Sequence, residues 1–250
     1  MTANSTILLC SGFFVIAICY TAVGQAGATG YLALMALVSM MPAEMRTTAL
    51  LLNIIASGYA SVRFGVAGHL RWSTLRPFML ASVPLAAIGG AISLNPAYYR
   101  VLTGLLLACA AVALIWRIGS GSAHPAPENM QVPARQAIVI GAVIGFLSGV
   151  TGVGGGILLG PALLALGWAA ARQAAGVSAP FNLVNSAIAL TTGSLTTMDL
   201  PRAFLAYGAS VLAGAIVGTQ LSVRRMPEKA VIVLLASLTA IGAVKLLIDH

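Results

Sequence analysis

The sequence predicts an all-α integral membrane protein. It has about ten membrane segments in two inverted five-segment repeats, with glycine-broken, re-entrant helices. Three observations lead there: scarce charge, the spacing of the apolar runs, and two motifs that recur in the same order in both halves. Of the 250 residues, 59% are hydrophobic and 7% charged, and the mean hydropathy is +0.98. A soluble domain carries about 25% charged residues because water must solvate its surface. The 13 Lys+Arg and 5 Asp+Glu of this chain cannot cover such a surface. Long apolar runs separated by short basic loops are what a bilayer selects.

In chain order the apolar runs are 7–23, 30–41, 46–64, 76–93 and 99–117, then 136–150, 157–168, 172–193, 203–222 and 228–247. The first follows MTANST, which lacks the basic region of a signal peptide, so it reads as a retained helix. Between the two sets lies 118–134, IGSGSAHPAPENMQVPA, whose Gly, Ser and Pro mark an exposed connection. The expected organisation is a first membrane repeat over 1–117, a polar linker over 118–134 and a second repeat over 135–250.

Two motifs tie the halves together. Gly24-Gln-Ala-Gly27-Ala-Thr-Gly30 aligns with Gly149-Val-Thr-Gly152-Val-Gly154-Gly155, and Arg46 and Arg172 follow at similar distances. Leu52-Asn53-Ile-Ile-Ala-Ser57 then aligns with Phe181-Asn182-Leu-Val-Asn185-Ser186, after three extra residues in the second half.

Geometry requires a break at the glycines. Residues 136–168 as one helix would span about 50 Å at 1.5 Å per residue, against a hydrocarbon core of about 30 Å. Loop charge says which way the chain goes next, because cytoplasmic loops are enriched in Lys and Arg. If each broken pair crosses once, the basic residues split seven against six; if the chain turns back, nine against four. The rich side then holds 63–76, 117–135, Arg172 and 224–229, and both termini lie outside. Five crossings or returns per half is an odd number, so the halves are expected to be inverted, a transporter plan with its site at the repeat interface.

The candidate chemistry lies at these breaks. Gly152, Gly154, Gly155 and Gly156 precede a short helix starting near Ile157. A helix N-terminus offers unpaired N–H groups and partial positive charge to an anion. Glycine permits positive φ and close approach of a ligand; close helix packing is the alternative use of such residues. The first-half turn, Gly27, Thr29 and Gly30, is weaker but adds a hydroxyl. Asn53, Asn182 and Asn185, with Ser57, Ser178 and Ser186, fall inside apolar segments, where an amide is costly unless paired. They are expected to face substrate or to bond between helices. Arg46 and Arg172 are either anion attractors or interfacial anchors.

Several classes are disfavoured. No Asp or Glu lies deep in a segment, which argues against a cation as substrate. His69, His124 and His250 lie in loops or the tail, so neither a Ser/His pair nor a metal cluster is expected, and no enzyme or cofactor. Cys10, Cys19 and Cys109 have no C-x-x-C spacing and read as small apolar side chains. The net charge of +8 is spread over segment ends without a basic, aromatic-interleaved patch, so nucleic acid is not an expected partner. The glycine run lacks the strand and Lys-Ser/Thr of a P-loop.

The run GVTGVGGGILLGPALLALG, Gly149 to Gly167, resembles the glycine-rich signature of the TauE/SafE sulfite exporter family, and Arg172 with Asn182-Leu-Val-Asn185-Ser186 is similar to its second motif. The resemblance covers essentially the whole chain. In the first half Gln25, Ala28 and Thr29 stand where that pattern has a small hydrophobe and glycines, so equal roles for the two turns are not expected. The resemblance implies a multi-pass protein of the bacterial inner membrane that moves sulfite, a sulfonate such as sulfoacetate, or a related sulfur-containing or carboxylate anion. The partners expected are that anion and the bilayer, and a homodimer is compatible with both. A non-transporting assembly or chaperone subunit is the alternative that the same fold allows.

Overall fold

A computed structural model describes residues 3–22, 24–119, 132–166, 168–169, 171–193, 200–223, 236–237, 240–241, 243–244 and 246–248. Most of the 118–134 linker and the start of the tenth apolar run lie outside these residues. Nine helices form among them: α1 (Ala3–Ala22), α2 (Ala28–Leu37), α3 (Pro42–Val66), α4 (Trp72–Ala91), α5 (Pro96–Gly119), α6 (Ala134–Thr151), α7 (Gly156–Ala165), α8 (Ala171–Thr192) and α9 (Phe204–Val223). Further helical residues occur between 236 and 248.

The helices break where the glycines stand. Gly24 and Gly27 have φ of +76° and +99°; Gly152, Gly154 and Gly155 have +77°, +78° and +71°. A side chain in this left-handed region costs about 1–2 kcal/mol, so these turns need glycine. The helices that follow, α2 and α7, have 10 residues each, about 15 Å of rise and half a hydrocarbon core. Neither can cross alone.

Five helices are long and apolar enough to cross a membrane, over Ser5–Ala22, Glu44–Val66, Trp72–Ala91, Ala134–Thr151 and Phe204–Leu221. Their polarity runs opposite to that of a soluble protein. Leu80 and Leu205 are 71% and 84% exposed, while Asn53, Ser57, Ser178, Asn182, Asn185 and Ser186 are buried. Water would penalise that surface; lipid does not. The chain is a multi-pass membrane protein.

Glycine also sets the closest helix pairs. Along α6, Gly141, Gly145 and Gly149 lie one turn apart and face the carbonyls of Phe78, Ser82 and Ala86 on α4, so near that an added Cβ would strike the backbone. Gly214 and Gly218 of α9 meet α1 at Phe14 and Ile18 in the same way. With no hydrophobic drive between helices in lipid, such close backbone approach supplies the dispersion contact.

Exchanging α1 with α6, α2 with α7, α3 with α8 and α4 with α9 maps the main contacts onto one another: α4–α6 onto α9–α1, α4–α8 onto α9–α3, and α7–α8 onto α2–α3. The contact of α3 with α8 maps onto itself. Two apolar cores follow this plan, one centred on Phe13, Tyr31, Leu52 and Tyr207, the other on Phe78, Ile144, Leu159 and Phe181. Ala60 and Phe64 of α3 meet Ala175 and Ala179 of α8 between them. Each core therefore takes its fourth helix from the other half of the chain.

Candidate functional site

The two glycine turns pack against the central helix of the opposite half. Gly24 lies on Ala175 of α8, and Gly152 lies on Arg46 and Leu50 of α3. Only small residues allow this, since a Cβ at Gly24 would overlap Ala175. The polar residues of α3 and α8 are thereby set beside the turns.

At the second turn the expected residues converge. Asn53 Nδ2 donates to Ser186 Oγ at 2.7 Å, joining α3 to α8. The same Nδ2 lies so close to Gly154 that a Cβ there would overlap it. Ser57 donates to the Asn53 carbonyl in its own helix. Asn182 Oδ1 accepts the N–H of Gly156, the first residue of α7. Sequence reasoning offered this helix start to an anion; the structure gives its first N–H to an asparagine cap. Among the described hydrogen bonds none is donated by Gly154 N, Gly155 N or Asn182 Nδ2. Two successive buried residues thus have backbone N–H groups without a partner among the described residues, close to the amides of Asn53 and Asn182.

Asn185 serves elsewhere. Its Oδ1 accepts from Ser82 Oγ of α4 and its Nδ2 donates to the Phe181 carbonyl. The three-residue spacing that placed Asn182 and Asn185 on one face therefore brings them to different neighbours, α7 and α4.

In the first turn, Thr29 Oγ1 pairs with Tyr20 Oη at 2.7 Å. Gly27 abuts the Tyr31 ring, and Gly30 abuts Ile16 and Tyr20. These three residues meet aromatic packing from their own half rather than the asparagine cluster.

Arg46 and Arg172 part company as well. The half-buried Arg46 guanidinium donates to Gly90 O at 2.7 Å and Gly149 O at 2.8 Å, with longer contacts to the Ile92 and Gly89 carbonyls. It braces the C-terminal end of α4 against α6 just before the turn, where helix carbonyls favour a cation. Tyr99 Oη adds a bond to Thr151 O at 3.0 Å. Arg172 is exposed.

Several buried polar atoms near the turns have no partner among the described residues: Gln25 Nε2 and Oε1, Asn53 Oδ1, Ser148 Oγ and Ser178 Oγ. Each costs about 1–3 kcal/mol if left so, and native proteins keep few. Gln25 and Ser148 were not among the expected site residues. Gln25 is the polar member of the first glycine turn, aligned with the apolar Val150 of the second. No group of three or more His, Cys, Asp or Glu able to hold a metal occurs among the described residues.

A membrane-embedded bundle with half-length helices and buried amides at its glycine breaks has the architecture of the membrane-transporter class. Comparison with known proteins agrees. Residues 8–246 match the family described as Sulfite exporter TauE/SafE, and the chain belongs to that family. It is 36% identical over 239 residues to the "Probable membrane transporter protein y4hK" of Sinorhizobium fredii, covering 96% of this chain and 97% of the relative. No solved structure matches the chain.

Proposed function

We propose that this protein is a secondary transporter of a small oxyanion, such as sulfite, a sulfonate, or a related sulfur-containing or carboxylate anion, across a bacterial inner membrane. The observation that carries the reading is the buried pair Gly154 and Gly155, whose N–H groups have no partner among the described residues, with Asn53 beside Gly154 and Asn182 beside Gly156. Fixed backbone dipoles replace the hydration of an anion without a fixed counter-charge. The family's name supports the sulfur oxyanion.

In this reading the substrate oxygens accept from Gly154 and Gly155, and Asn182 Nδ2 orients them. The halves are inverted repeats whose glycine turns enter the bilayer from opposite faces. The exchange of helix contacts supports this, with α3 against α8 as the common seam. The two cores, each with a helix borrowed from the other half, rock about that seam to expose the site alternately. No step of this cycle makes or breaks a covalent bond, so the protein acts as a carrier and not as an enzyme.

The test is saturable flux of labelled sulfite and sulfoacetate into proteoliposomes. Gly154→Ala places a Cβ against Asn53 and at φ +78°, adding about 1–2 kcal/mol of backbone strain. Transport is expected to fall at least roughly tenfold, as 1.4 kcal/mol implies, in protein that still inserts. Wild-type-like flux by Gly154→Ala overturns the site; no saturable flux of either anion by wild type overturns the transport reading.

A further inference from the structure

Helix α4 turns one face to the second core and another outward. Phe78, Ser82 and Ala86 meet the glycines of α6, whereas Trp72 and Leu80 are 58% and 71% exposed. Along that outer face runs a groove of about 720 Å³. Trp72 and Arg76 line its start, and Met79, Leu80, Val83 and Pro84 continue it. Their spacing of three and four residues keeps them on one side of the helix. From Trp72 to Pro84 the groove follows α4 for about 18 Å at 1.5 Å per residue. One leaflet of the hydrocarbon core is about 15 Å deep. With Trp72 at the headgroup level, where tryptophan is enriched, the groove has the reach of one acyl chain.

Its start lies at the basic end of the bundle. Helices α4 and α6 run parallel, since Gly141, Gly145 and Gly149 face Phe78, Ser82 and Ala86 in order. Six residues back along each, Arg135 stands level with Trp72. Arg63 lies in the last turn of α3, and Arg71 is the N-cap of α4. Among the described residues no carboxylate stands at this end. Glu44, the acidic residue described, is in the first turn of α3, about 28 Å from Arg63 along the helix.

Arg76 is exposed, about one turn inside α4 from Trp72. A guanidinium facing hydrocarbon is costly, and its side chain reaches back toward the interface for an anion. A phosphate esterified to a diacylglycerol brings that anion together with a chain for the apolar slot. The planar guanidinium pairs with phosphate in bidentate fashion. A zwitterionic head group would add its own cation to a rim that already holds Arg63, Arg71 and Arg135; an anionic one does not. A second copy of the chain fits less well, because a two-fold interface is self-complementary and would set Arg76 toward its own counterpart.

We propose that the outer groove of α4 binds an anionic phospholipid, with its phosphate on Arg76 and one acyl chain running along Met79, Leu80 and Val83 to Pro84. The proposal does not depend on what the protein carries.

The test is native mass spectrometry of the detergent-purified full chain, titrated with phosphatidylglycerol or with phosphatidylcholine of the same acyl chains. Wild type is expected to bind phosphatidylglycerol about fivefold more tightly, the worth of one basic residue at an anionic surface. Arg76→Gln removes the preference, and Leu80→Trp, which fills the groove, weakens both lipids. Arg63→Gln removes the same charge from the same end but outside the groove, and keeps the preference within about twofold. Equal binding of the two lipids by wild type, or a preference that survives Arg76→Gln, overturns the site. Equal loss of the preference in Arg63→Gln assigns it to the charge of the whole end and overturns the site too. If Arg76→Gln does not insert, Leu80→Trp decides, and undiminished phosphatidylglycerol binding by that variant is the refuting result. A detergent-stable dimer that Leu80→Trp dissociates, without any head-group preference, gives the groove to a second copy instead.

Discussion

Replacing Arg46 tests whether the guanidinium braces the fold or binds substrate. Its bonds to Gly90 O and Gly149 O, at 2.7 and 2.8 Å, hold the end of α4 to α6 immediately before the second turn. A hydrogen bond with a charged partner contributes about 1.5–3 kcal/mol, and a cation at a helix C-terminus adds about 0.3–1 kcal/mol. Because Arg46 is half-buried, the low ends apply, and Arg46→Met should cost about 3 kcal/mol. In a chain of this length that lowers the thermal unfolding midpoint by roughly 6–12 °C, readable in detergent by near-UV circular dichroism. Arg46→Lys keeps the charge but not the planar fork and should recover about half. Arg172→Met removes an exposed charge and should stay within about 0.5 kcal/mol of wild type. An Arg46→Met protein with the wild-type midpoint but weakened anion binding would refute the brace and make the guanidinium a ligand.

Two further predictions concern the seams. The Asn53–Ser186 bond should appear in a double-alanine cycle as a coupling of about 0.5–1.5 kcal/mol, the range of interhelical hydrogen bonds in membranes; additive single effects would mean the bond does not hold α3 to α8. Gly145→Ala drives a Cβ into the Ser82 backbone of α4 and should destabilise by about 1–3 kcal/mol. Gly65→Ala meets nothing within 4 Å and should be neutral or stabilise by up to about 1 kcal/mol. Equal unfolding midpoints for the two alanines would show that the α4–α6 approach is not tight.

Much of the fold can be read from the chain because the bilayer restricts what a sequence can do. Apolar runs of 17–25 residues become helices, since no other open segment satisfies its backbone in lipid. Positions 24, 27, 152, 154 and 155 break them, since only glycine takes positive φ without cost. The burial of Asn53, Asn182 and Asn185 follows for the same reason, because lipid rejects an amide. Their partners do not follow. Asn182 caps α7 and Asn185 ties α8 to α4, although the two share a helical face by spacing. Which neighbour each meets depends on how α4, α7 and α8 surround that face.

The role of Arg46 is set by packing for a related reason. In sequence Arg46 and Arg172 look equivalent, yet only Arg46 finds the carbonyls of Gly90 and Gly149. Gln25 and Ser178 are separated by most of the chain, yet both approach Gly160 of α7. By itself, then, the sequence determined membrane residence, helical class, the position of the two glycine turns at 24–30 and 149–156, and the residue types kept from lipid. These depend on local backbone freedom and on transfer between lipid and protein. The tertiary structure alone decided which polar groups are spent on holding helices together and which remain uncommitted, because hydrogen-bond partners are set by packing across the halves.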